Sequence, residues 1–215
     1  MAITTTVEDL TYHESNLCSL GPRPQIMTGL LLWLLREHYA DADNIIHDVF
    51  RERLYVAGDT TGILIEDSTV WTPTRAGKRP SIIIKRQGWK SIKRGTFDNA
   101  SGSDIDGNIQ HTKFVRGAHT VFCVAPEGAE VETLASETFQ LLVHFGPIFR
   151  EYFKLMAFDV MEMGAVSTLK EATDRYVVPI NVGYGFEDSW IIRQHAPSLA
   201  NVSLSTIFET YYPQT

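Results

Sequence analysis

The chain has 215 residues, with 26 Asp and Glu against 19 Lys and Arg, a formal charge of −7. Its length supports one sizeable domain that buries a core without metal or disulfides, and 44% hydrophobic with 21% charged residues excludes a disordered chain. The acidic balance argues against a general nucleic-acid binder, whose surface carries a basic excess. Cys18 and Cys123 are far apart with no CxxC, which argues against a disulfide framework and a cysteine-based zinc site. The opening MAITTTVEDL lacks the basic start and apolar run of a signal peptide. The most apolar stretch, Gly29 to Leu35, is too short to span a bilayer. These features predict a soluble protein made in a reducing cytoplasm, with no membrane partner.

In chain order, residues 1–22 read as a polar arm ending in Gly21-Pro22-Arg23-Pro24. Pro24 to about Tyr39 is helical. Ile26, Leu30, Trp33 and Leu34 share a face, and Leu31, Leu32 and Leu35 widen it until little polar surface remains. Such a helix is buried or sits against a partner. A second short helix is predicted over Asn44 to Arg53, with Ile45, Val49 and Phe50 in contact. Ile63-Leu64-Ile65 and Val70-Trp71 read as short strands, and Ser81-Ile82-Ile83-Ile84 as a central one. The stretch from Gly88 to Asn108, rich in Gly, Ser, Asn and Asp, predicts a long loop or a flexible hairpin tip. Thr112 to Ala125 is a long strand, with His119, Val121 and Cys123 on one face and Phe122 and Val124 on the other.

The strongest helix follows Pro126. Val131, Leu134, Ala135, Thr138, Leu141, Leu142 and Phe145 recur at helical spacing, and Gly146-Pro147 is expected to break or kink it. A short helical piece is expected to run on to Lys154. Phe158, Val160 and Glu162 alternate in the next strand. In the last, Tyr176, Val178, Ile180, Val182, Tyr184 and Phe186 form one apolar face, and Val177, Pro179, Asn181, Gly183 and Gly185 a small, bare one. Pro179 predicts an edge strand or a strand beside a bulge. The expectation is a single α/β (α+β) domain over residues 23–192, a mixed β-sheet flanked by helices with a long hairpin or loop, followed by a tail at 193–215.

Motifs with chemistry are sparse. His38 with Glu37, Asp41 and His47 is the densest histidine group, but no helical metal spacing such as HExxH is present. Asp104, Asp106 and Asn108 begin like a calcium loop. The positions that need Gly and Glu hold Ile109 and Val115, so a turn is expected. Gly183-Tyr184-Gly185 lacks the third glycine and the following helix of a dinucleotide site. Glu127, Glu130 and Glu132 cluster at a helix start, where the helix dipole favours anions. One polar feature is uneven: Lys78, Arg79, Lys85, Arg86, Lys90, Lys93 and Arg94 place seven positive charges in 17 residues with no acid among them. That is either a solvated hairpin or a loop that meets phosphate or an acidic partner, with Trp89 inside it able to stack.

Three segments carry a resemblance: Arg79-Pro-Ser-Ile-Ile-Ile-Lys-Arg86, then His119 to Thr138 (HTVFCVAPEGAEVETLASET), then Val178 to Trp190 (VPINVGYGFEDSW). Their order and character resemble the tail-terminator (neck) proteins of long-tailed bacteriophages over about residues 79–192. The resemblance implies a mixed sheet flanked by helices and structural work without catalysis or cofactor. It implies a homo-oligomeric ring, typically a hexamer, that caps the tail tube and ends tail growth. Its partners would be the tail tube protein, the head–tail connector or stopper protein, and packaged DNA passing through the lumen. Its place would be the virion neck, after assembly in the host cytoplasm. Under that reading Lys85, Arg86, Lys90, Lys93 and Arg94 form a mobile loop at the lumen or at a subunit contact, with Glu127, Glu130 and Glu132 of a neighbour as acceptors. The alternatives are a head-completion adaptor or stopper and a small hydrolytic enzyme built around His38, His47 and Asp48.

Overall fold

The structure, a computed structural model, describes residues 24–92, 102–103, 109–170 and 172–192. The arm at 1–22, the tail at 193–215, Lys93, Arg94, Cys18 and the Asp104–Asn108 turn lie outside the described residues. The architecture is a mixed α/β domain: one eight-stranded sheet with helices packed on it.

Helix α1 spans Pro24–Ala40, with proline at the first turn, where its missing N–H costs nothing. It buries Met27, Thr28, Leu31, Leu34, Leu35 and Tyr39. The inward face is therefore rotated from the expected one: Ile26 and Trp33 are 49% and 58% exposed. An apolar stripe this wide has no unique centre, and Thr28 turns inward because it meets a buried partner described below. Helix α2 is a single turn, Asp48–Arg51, not the expected ten residues; Ile45 and Phe50 are buried but Val49 is exposed.

Strand β1 (Leu64–Asp67) lies parallel to β2 (Ser81–Arg86). Between them Val70 and Trp71 form a turn instead of the expected strand, because the Asp67 carbonyl accepts both Val70 N–H (3.1 Å) and Trp71 N–H (3.1 Å). The one-turn helix α3 (Pro73–Ala76) follows, capped by the Thr72 hydroxyl. Strand β3 (Lys90–Ile92) continues the β2 path after a one-residue offset, and both pair antiparallel with β5 (Ile109–Ala125), as does the short β4 (Gly102–Ser103). The expected mobile loop over 85–94 is thus mostly strand where it is described, up to Ile92, with residues 87–89 linking β2 to β3.

Helix α4 runs unbroken over Gly128–Tyr152 with Pro147 inside it. The expected break fails because the distal half is anchored. Phe149 is buried against Phe158, ring centroids 5.0 Å apart, and Gly146 is buried beside the same ring. Val143, whose carbonyl loses its donor, is exposed on the solvent side, as is Pro147. Strand β6 (Ala157–Met163) and strand β7 (Ser167–Leu169) then pair one after the other with β8 (Ala172–Ile192).

The strand order is β1-β2-β5-β8-β6, antiparallel after the first pair. Strands β5 and β8 pair without a shift from Ile109↔Ile192 to Ala125↔Tyr176. β8 is therefore interior: of the two readings of Pro179 the edge is corrected, while the strand beside an irregularity holds, the β6 register shifting between Val160 and Glu162. Its carbonyl accepts Gly164 N–H at 2.7 Å, in the gap between β6 and β7. A strand residue sends both backbone groups to the same side, so the proline's missing donor faces that gap. The outermost strands of this order are β1 and β6, with β3 and β4 continuing the β2 side of β5 and β7 the β6 side of β8. The β1 edge is closed by Arg36, whose Nε and Nη2 donate to the Ile65 carbonyl at 3.3 and 2.9 Å.

Both long helices pack on one face. That inner face buries Ile82, Ile84, His119, Val121, Cys123, Val178, Ile180, Val182, Tyr184 and Phe186 against Leu31, Leu35, Leu134 and Leu142. Val121 and Cys123 point inward, and Val124 and Phe122 outward, as the alternation predicts. Tyr176 is the exception on its stripe, being exposed. A smaller cluster of Ile83, Val124 and Val177 with Trp71, Phe122 and Leu169 covers one end of the outer face. There Arg175 donates to the Pro73 and Gly77 carbonyls and ties down α3.

Candidate functional site

The part of the outer face left uncovered by this small cluster is built from residues that sit side by side across four strands. The pairing gives three rows. Lys85, Thr120, Asn181 and Glu162 form the first; Ala118, Gly183 and Asp159 the second; Lys90, Arg116, Gly185 and Ala157 the third. The first row is linked by hydrogen bonds. Gln87 Nε2 donates to the Thr120 hydroxyl at 3.0 Å, and that hydroxyl donates to Asn181 Oδ1 at 2.9 Å. The small face read from the sequence of β8 is real but not bare. A Cβ on Gly183 would meet Met161 Sδ at 3.1 Å, and one on Gly185 would meet the Phe114 ring at 2.7 Å. The glycines are what let those two side chains lie flat on the sheet.

The basic residues singled out from the sequence do not form one loop. Lys85 and Lys90 are exposed on the outer face, with Arg116, which the sequence reading missed, directly opposite Lys90. Arg116 sits over the Phe114 ring at 5.7 Å. Arg86 belongs to the opposite face, paired with His119. Trp89 does not await a base: its Nε1–H donates to Tyr184 Oη at 2.9 Å, and its ring meets Phe186 edge-on at 5.2 Å. It closes the end of the inner core.

The acidic trio is also divided. Glu130 holds Arg53 at 2.6 Å and is already engaged; burial, helped by Glu127, raises its pKa against the pull of Arg53. Glu127 and Glu132 are exposed. Glu127 is the helix N-cap residue without a side-chain cap bond.

The His38 ring and the His47 backbone converge on a residue not singled out. Glu137, fully buried on α4, accepts from His38 Nε2 at 3.1 Å and from the backbone N–H groups of Ile46 and His47 at 3.0 and 3.3 Å. Burial alone would raise its pKa. The three donors outweigh burial, and the net direction is down. Asp48 turns away to an exposed pair with Arg51 at 2.8 Å. The contacts fasten the 41–47 loop to α4. Glu137 lies three residues after Leu134 and four before Leu141, so its place inside the apolar stripe was the available signal. Among the described residues, no group of three or more His, Cys, Asp or Glu is placed to hold a metal ion, and no helix is long and apolar enough to cross a membrane.

A second buried polar contact joins α1 to the sheet. His119 Nε2 lies 2.8 Å from the Thr28 hydroxyl, which itself donates to the Pro24 carbonyl at 2.9 Å. A hydroxyl has one proton to give, so Nε2–H is the donor and Nδ1 carries a lone pair. Nδ1 is buried without a hydrogen-bond partner. Burial, and then the Arg86 charge, push the His119 pKa down to about 4, with Asp67 opposing weakly. The folded pKa lies below the unfolded value of about 6.5, so the unfolded state binds the proton first. Stability is complete above about pH 6.5 and falls as pH drops toward 4. At about 1.4 kcal/mol per pH unit the loss is on the order of 3 kcal/mol. The expected result is a falling melting temperature across that window, flattened in His119→Gln; an unchanged slope in that variant would refute the assignment.

Tyr39 Oη shares a hydrogen bond with the Thr138 hydroxyl at 2.9 Å, and the Cys123 thiol reaches the same hydroxyl at 3.8 Å. Burial pushes that thiol up to about 12, so Cys123 stays a protonated core residue at neutral pH. Comparison of the chain with protein-family models and with curated proteins finds no match to either.

Proposed function

We propose that this chain is a structural virion assembly protein that forms a ring on the tail tube of a long-tailed bacteriophage. The ring, a hexamer, ends tail growth and joins the tail to the head connector, with DNA passing through its lumen. The observation that supports this best is the open outer sheet face. Both long helices lie on the other side, and the three rows around Thr120, Asn181 and Gly183 present small and charged groups with no helix or strand above them among the described residues. Exposed Met161 stands on the β6 side of the face, over Gly183. An exposed apolar side chain at a sheet edge suits a surface that is covered in an assembly.

The test is reconstitution. Purified chain added to tails assembled without it is expected to bind their ends and to make them competent to join heads. Binding to heads with indifference to tails would replace this reading with the adaptor or stopper role. Binding to neither would overturn both.

A further inference from the structure

The outer face carries the charges of its two margins sorted by edge, with the exposed Glu187 of β8, opposite Phe114, between them. On the β2–β3 side stand Lys85 and Lys90, with Arg116 beside them; on β6 stand Asp159 and Glu162. All five are exposed, and among the described residues none forms an ion pair. The row Lys85–Thr120–Asn181–Glu162 crosses the face from base to acid. Three strand spacings of about 4.8 Å hold its ends ~14 Å apart, too far for the two to pair within one copy. Both margins are also sheet edges. Strand β1 stops at Asp67, opposite Ile84, so from Lys85 onward no described strand lies outside β2 and β3. No described strand lies outside β6.

We infer that these two margins are the two halves of one contact between copies of this chain. The β6 edge of one copy lies against the β2–β3 edge of the next, so that Asp159 and Glu162 meet Lys85 and Lys90. The halves are different surfaces of the same molecule, which makes the contact head to tail; such a contact closes into a ring when its rotation allows. Charge complementarity selects a second copy over a polyanion, because the same face that offers three cations also offers two carboxylates within ~14 Å. Met161, lying over Gly183 between Asp159 and Glu162, supplies the apolar centre of the acidic half. The inference rests on the ring reading and gives it a subunit interface.

Reversed charges test it. The full chain, Lys85→Glu/Lys90→Glu and Asp159→Lys/Glu162→Lys are compared by light scattering after size exclusion at low and high salt. The wild-type chain is expected at a multiple of 24.2 kDa, dissociating as salt rises. Each reversed variant alone is expected at the monomer mass, with a melting temperature near that of the wild type because the four positions are exposed. An equimolar mixture of the two is expected to assemble again, since one then has two acidic edges and the other two basic edges. Reversed variants that keep the wild-type mass would overturn this interface and leave the ring reading intact. Monomeric variants that stay apart on mixing would overturn it also. A wild-type chain monomeric at every concentration and salt would remove the interface, while the ring reading would still be decided by binding to tails. Binding of a DNA duplex by the wild-type chain, lost in Lys85→Glu/Lys90→Glu with no change of mass, would reassign the basic half to nucleic acid.

Discussion

Replacing Glu137 by alanine is expected to destabilise the fold by about 3–5 kcal/mol, the range for removing one partner of a buried, hydrogen-bonded charge. The carboxylate ties α4 to α1 and the loop after it through both of its oxygens: Oε1 takes His38 Nε2–H and Ile46 N–H, and Oε2 takes His47 N–H. Its loss strands these donors at a partly buried position and leaves a void beside Ile45, which is itself buried. Glu137→Gln keeps the volume and one acceptor oxygen, and should cost less than half as much. Urea unfolding of both variants measures the difference. Equal losses in the two would show that shape matters here and the acceptor set does not. Because the Glu137 pKa is depressed in the fold, its contribution is present above about pH 4.5 and fades as pH falls through the folded value. This adds to the His119 loss in acid with the same sign.

Leu134→Ala is the second large effect, with an expected loss of ~2–5 kcal/mol from transfer and cavity terms together. Leu134 is fully buried on the inward side of α4 among Val131, Ala135 and Leu142. Leu142→Ala, equally buried, should fall in the same range. Val143→Ala, one residue further on and 45% exposed, should cost far less. A thermal or denaturant series across the three positions checks the ordering. A Val143→Ala loss equal to that of Leu134→Ala would mean that α4 is covered on its outer side as well.

The strands and the long helix were legible because their apolar periods are strict. β5 alternates Val121 and Cys123 inward with Phe122 and Val124 outward, and α4 repeats its apolar positions from Val131 to Leu142. Local chemistry misled where the deciding contact is distant in sequence. Pro147 reads as a helix stop, but Phe149 packing on Phe158 holds the next turn in place. Pro179 reads as an edge or as the neighbour of a bulge, and the second holds: its missing donor meets the gap after β6, whose register shifts between Val160 and Glu162. Thr28 turns into the core because His119 lies beneath it, 91 residues away. The charge-sorted face was half visible. Lys85 and Lys90 stood out as a basic run, while Arg116, Asp159 and Glu162 join them only through strand order, which no local pattern contains.

The β5–β8 ladder has a consequence for how the chain comes off the ribosome. Its partners are separated by roughly 50 residues at the Ala125↔Tyr176 end and roughly 80 at the Ile109↔Ile192 end, and such non-local pairing is slow to form. During synthesis α1 and β1 to β5 emerge first, with Ile82, Ile84, Val121 and Cys123 presenting an apolar strip whose other half does not yet exist. Helix α4 follows directly and can shield part of that strip, since its contacts are local along its own length. Strand β8 then has to enter between β5 and the waiting β6, and only its arrival sets the final order of the sheet. The center of this fold is the last part to be made, so a nascent chain that stalls before Tyr176 exposes an open β5 edge to its neighbours on the same message.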